Sequence, residues 1–118
     1  MLFFYDAARH LLHKLAVQSS APLCGLIGSS RDILPDGDGV LLILVGDVAK
    51  VAAAYERPQS LLWRDAGALL QTLNLTATAY DQAFCALGVL GEEALRAIEA
   101  PPQSCALGVA MLGVAADL

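Results

Sequence analysis

Charge is scarce in this 118-residue chain: only 16% of its residues are Asp, Glu, Lys or Arg, and only seven of those are basic. Seven cations against twelve acids leave a net charge of −5, which repels phosphate-rich polymers and argues against nucleic-acid binding. The shortage sharpens after Asp65, where Arg96 stands alone against Asp65, Asp81, Glu92, Glu93, Glu99 and Asp117. Aromatic residues make up 6%. The two histidines, His10 and His13, have no cysteine near them in sequence to complete a zinc site, so no metal ligand is assigned. Three cysteines, Cys24, Cys85 and Cys105, are an odd number without CxxC spacing and read as reduced, structural thiols.

Other signals are missing too. The start, Met1-Leu-Phe-Phe-Tyr-Asp6, lacks the basic lead, long apolar run and small-residue cleavage site of an export signal, so a cytoplasmic location is expected. The longest uncharged stretch, residues 100–116, contains Pro101, Pro102 and two glycines, which a membrane-spanning helix rarely combines. Neither Gly-x-Ser-x-Gly, nor GxxxxGK, nor GxGxxG occurs, and no catalytic residue is assigned. Asp36 and Asp38, each followed by glycine, fall short of a calcium loop and read as a turn. What the chain has in quantity is apolar surface, 57% of residues. That suits one compact domain, residues 1–118, with a surplus for a partner subunit or the rest of a larger fold to cover.

The order of elements follows from pattern. Residues 2–17 are ambiguous, since Leu11, Leu12 and Leu15 share a helical face while residues 2–5 read as a short apolar strand. Residues 18–39, punctuated by Pro22, Gly25, Gly28 and Pro35, read mostly as loop. Residues 40–45, Val-Leu-Leu-Ile-Leu-Val between Gly39 and Gly46, predict a strand buried on both faces. Asp47 caps a short helix over 48–55, which Pro58 prevents from running on.

Ser60 then opens a long helix over 61–80, with Leu62, Ala66, Leu69, Leu70, Leu73 and Ala77 at helical spacing, Asp65 complementing its dipole and Arg64 placed to pair with an acid. A helix without charge after Asp65 belongs at the centre of a domain or in a subunit interface. Residues 83–89 predict a short strand or extended loop ending at Gly88, and residues 92–99 a brief helix stopped by Pro101-Pro102. A last strand over 105–114 is interrupted by Gly108 and Gly113. The layout is α+β: a mixed sheet packed on a long central helix.

Two stretches carry a resemblance. Residues 55–79 contain Asp65, Gly67, Gln71, Leu73, Leu75 and Ala77 in the order D-x-G-x-x-x-Q-x-L-x-L-x-A, and Ala83-Phe-Cys-Ala-Leu-Gly88 follows. These resemble the central helix and flavin-side segment of the nitroreductase-like flavoproteins. Within that superfamily the chain is most similar to the azoline (thiazole/oxazole) dehydrogenases of streptolysin-S and microcin-type peptide biosynthesis. Their Y-D-x-x-x-H-x-L hairpin is echoed by Tyr5-Asp6-Ala-Ala-Arg-His10-Leu-Leu12, which favours a hairpin over a helix for residues 2–15.

The resemblance implies a truncated nitroreductase-like fold, a homo-oligomer or a hetero-oligomer with a longer dehydrogenase chain, and FMN at the subunit interface. Leu87 and Gly88 would present backbone N–H groups to the flavin, with Ala86 beside them and Trp63 or Tyr55 lining the pocket. Three departures stand against this. The basic N-terminal segment that grips the phosphate has no counterpart, Tyr80-Asp81-Gln82 and Ala86 replace the usual Gly-Leu-Gly and proline, and nothing after Arg96 is basic. The expected function is thus an FMN-dependent oxidoreductase with a partner-completed site. The alternative is a non-catalytic relative acting as a dimerisation scaffold or small-ligand binder.

Overall fold

The computed structural model describes residues 1–114. The chain opens with strands β1 (Phe3–Asp6) and β2 (Leu11–Lys14), an antiparallel hairpin pairing Phe4 with His13 and Tyr5 with Leu12. This is the hairpin that the resemblance implies. Asp6 builds its turn, Oδ1 accepting from the N–H groups of Ala8 and Arg9 at 3.0 and 3.3 Å, and His10 closes it at φ +56°.

Helix α1 (Ala21–Ile33) corrects the reading of residues 18–39 as mostly loop. Pro22 does not break this helix. It sits in the first turn, where a missing N–H costs nothing. Leu23, Leu26 and Ser30 form the buried stripe, and the Ser30 hydroxyl satisfies itself on the Leu26 carbonyl at 2.8 Å. Only residues 34–38 link this helix to the next strand.

Strand β3 (Gly39–Asp47), helix α2 (Val48–Ala52), helix α3 (Pro58–Ala79), strand β4 (Gln82–Leu87), helix α4 (Glu92–Ala97) and strand β5 (Ser104–Val114) complete the described chain. The three long strands form a sheet in the order β3-β5-β4. Every pairing is antiparallel, where a mixed sheet was expected, because β5 returns between the other two. The strand at residues 40–45 is present as β3. It lies at an edge, however, with Val40 63% and Val45 49% exposed, so it is not buried on both faces. β5 is the central strand and runs uninterrupted through both glycines, with a register shift where Leu44 faces Gly108 and Val45 faces Ala106.

The helices cover both faces of this sheet. On one side Leu62 and Ala66 of α3 pack with Leu44 and Leu107, beside Val48 and Val51. On the other, Leu26 of α1 and Ala94 of α4 pack with Leu87 and Val109. Each fully buried leucine contributes about 1.5–3 kcal/mol of apolar transfer, and α3 is held mainly through its one apolar stripe. Pro58 occupies the first turn of α3, so the helix begins earlier than residue 61 and Asp65 stands beyond the turn where a dipole is felt. Arg64 makes no ion pair among the described residues.

Asp47 caps α2 as expected, its carboxylate accepting from the Lys50 N–H at 3.1 Å, though the helix stops at Ala52 instead of reaching residue 55. α4 likewise ends at Ala97, short of residue 99. None of the described helices is long and apolar enough to cross a membrane.

Candidate functional site

The four residues singled out for flavin contact lie at β4 and on α3. Alternation along β4 puts Phe84 and Ala86 toward α3 and Cys85 and Leu87 toward α1 and α4, and Gly88 follows the last residue of the strand. Leu87 is 8% exposed, and its side chain belongs to the core cluster with Leu26 and Val109, so only its backbone is left for a ligand. Ala86 and Gly88 are exposed, and a Cβ placed on Gly88 would meet no atom within 4 Å. Trp63 is 46% exposed on the N-terminal half of α3. Tyr55, at 58%, follows α2.

β4 is an edge strand, and no backbone hydrogen bond outside the β5 ladder reaches residues 82–87 among the described residues. One side of its main chain therefore offers N–H and C=O groups. Arg57, the residue before the first turn of α3, and Arg64 stand without ion pairs among the described residues, and no acid occupies that first turn. Lys50, by contrast, lies 4.0 Å from Asp47, and Arg96 lies within 3.9 Å of both Glu92 and Glu93.

Two clefts among the described residues bear on the site, and neither includes Trp63, Ala86, Leu87 or Gly88. One, about 240 Å3, lies between the C-terminal half of α3 and the sheet, walled by Leu42, Leu73, Phe84 and Leu112, with Tyr80 and Gln82 at its lip. No charged side chain lines it. The other, about 340 Å3, lies between α1 and β3, where Ser30, Arg31 and Asp38 add polar groups to Leu26 and Ile43. Sequence pattern did not reveal the first cleft, because Leu42, Phe84 and Leu112 come from three strands that only the register brings together.

The hairpin collects the other titratable groups. The Tyr5 hydroxyl and His10 Nδ1 share a hydrogen bond of 2.6 Å, their rings meeting edge to face. Arg9 Nη1 lies 3.1 Å and His13 Nε2 3.6 Å from Asp6 Oδ2. Desolvation raises the Asp6 pKa, but the bonds from Arg9, the Ala8 N–H and His13 outweigh it and hold the carboxyl below its ordinary value of 3.8.

No known protein family matches the sequence, and neither does any curated protein.

Proposed function

We propose that this chain is a subunit of an FMN-dependent oxidoreductase of the nitroreductase-like type, an azoline dehydrogenase by its nearest resemblance, whose flavin lies between two chains. The observation that carries this reading is the exposed flank of α3. From Ala66 to Tyr80 no residue is charged, yet Leu69 and Leu75 are 48% and 63% exposed. Beside that helix the end of β4 leaves Gly88 open and its edge unpaired. An uncharged surface beside free backbone donors suits a flat, polar-edged ring, and a second chain would cover the rest.

One chain supplies donors without enclosure. Trp63, Ala86 and the backbone of Leu87 and Gly88 would face the ring, and Arg57 and Arg64 are the cations available to the phosphate. Neither the α3 cleft nor the α1 cleft takes in these groups, and a partner chain would supply the enclosure. When bound, FMN supplies hydride acceptance, while the protein supplies binding and orientation.

An FMN titration followed by flavin fluorescence tests this reading. Saturable quenching is expected, and Arg64→Ala or Gly88→Val should weaken it by at least about tenfold at an unchanged urea midpoint, since both positions are exposed. No binding at tens of micromolar would favour a flavin-free scaffold, and equal binding by both variants would overturn the placing of the flavin beside Arg64 and Gly88. The uncharged lining of the α3 cleft is the observation on the side of that second reading.

A further inference from the structure

The hairpin β1–β2 is poorly buried for so apolar a segment. Phe3, Phe4 and Tyr5 are 45%, 58% and 51% exposed, and Leu11 and Leu12 are 51% and 67% exposed. Alternation puts Phe3, Tyr5 and Leu12 on one face and Phe4 and Leu11 on the other, so neither face is covered. Two strands alone are marginal in water, which leaves this element in need of a seat.

Charge says which kind of seat. Residues 1–20 hold Arg9 and Lys14 against Asp6, besides His10 and His13, while the other five cations of the chain's seven face the other eleven of its twelve acids. A basic, aromatic arm on an otherwise acidic molecule is complementary to another copy of that molecule.

The uncharged cleft under α3 is the surface that fits. At about 240 Å3 it is smaller than the roughly 300–1,000 Å3 of ligand pockets. Side chains delivered on a strand suit it better than a free ligand. Its lip residues Tyr80 and Gln82 flank Asp81 in sequence, an acid placed to meet Arg9 or Lys14. A chain's own hairpin sits on the opposite side of its sheet. Met1 and Leu2 line the α1 cleft, and the N–H groups of Gln18 and Ser19 bond the Ala97 carbonyl of α4 at 2.8 and 3.2 Å.

We propose that the β1–β2 hairpin of one copy seats in the α3 cleft of a second copy, with its aromatic face against Tyr80 and Phe84 and its cations toward Asp81. Exchanged reciprocally about a twofold axis, the two contacts close a dimer. On one face of the hairpin Phe3 and Tyr5, each about half exposed, offer roughly 200 Å2 at roughly 150–250 Å2 per ring. Two contacts counted on both surfaces then reach roughly 800 Å2, and Leu12, 67% exposed on the same face, carries the total toward the roughly 1,200 Å2 at the lower end for specific interfaces. This contact does not depend on flavin.

The test combines sedimentation with cross-linking of the full chain at tens of micromolar. A dimer is expected, weakened at least about tenfold by Leu12→Asp and by Tyr80→Asp, both at exposed positions where far-UV circular dichroism should be unchanged. In a mixture of isotopically light and heavy chains, zero-length coupling should join Lys14 of one copy to Asp81 of the other. A monomeric wild type, a dimer indifferent to both substitutions, or cross-links confined to single chains would overturn the proposal.

Discussion

Gly91 and Gly67 show how differently one residue type can be used. Gly91 has φ +90°, and a Cβ there would approach Val109 Cγ2 to 2.8 Å and Ile43 Cγ2 to 3.0 Å. Gly91→Ala should cost about 1–3 kcal/mol through backbone strain and crowding, read as a lower urea midpoint. Gly67 lies exposed in α3 with nothing within 4 Å of a Cβ, so Gly67→Ala should raise the midpoint by about 0.5–1 kcal/mol. Asp6 makes a pH-dependent prediction. Because its folded pKa lies below the ordinary 3.8, the stability it gives the hairpin is present above that value and is lost as pH falls through the folded one. The amide resonances of Ala8 and Arg9 should therefore shift as the solution is acidified below about pH 4. Asp6→Asn, whose side-chain oxygen still accepts both N–H bonds, should abolish the shift while the turn persists.

At the scale of the element, α3 divides into a face that holds the fold and a face that does not. Leu62 is 7% exposed among Leu44, Ala66 and Leu107, so Leu62→Ala should cost about 2–5 kcal/mol in chemical denaturation. At protein concentrations low enough to keep chains apart, Leu75→Ser, at a position 63% exposed, should leave the midpoint within about 0.5 kcal/mol. The spacing of Leu62, Ala66 and Ala77 made the packed face legible, though it also placed Leu69 there, which is 48% exposed, and the apolar run with β-branched residues at 40–45 made the strand β3 legible. α1 was not legible. Its two glycines, two serines and Pro22 each argue locally for loop, and only packing of Leu26 on Ala94 and Val109 makes the helix worth forming. The edge position of β3 was hidden for a related reason, since an apolar run does not say how many neighbours it has. For the candidate site, Ala86 falls on the β4 face opposite the buried Leu87, while the cleft under α3 depends on the β4-β5-β3 register and has no local signature.

For the molecule as a whole, apolar surface exceeds what one sheet and four helices cover. The hairpin, the outer flank of α3 and the edges of the sheet leave Phe4, Leu12, Leu75 and Val40 each more than half exposed. Three of these regions lie where a second chain would serve the proposed activity or the proposed dimer, and joining two chains there would bury what one cannot. Dependence on concentration should follow, with the urea midpoint of the wild type rising with protein concentration as association stabilises the folded chain. A flat response would mean that the exposed apolar groups stay in water. The most direct measurement is sedimentation velocity of the protein with FMN, followed in the protein and flavin absorbance bands together. A flavin held between two chains sediments only with the two-chain species. Flavin travelling with single chains, or remaining free at saturating protein, would contradict an interface-held cofactor.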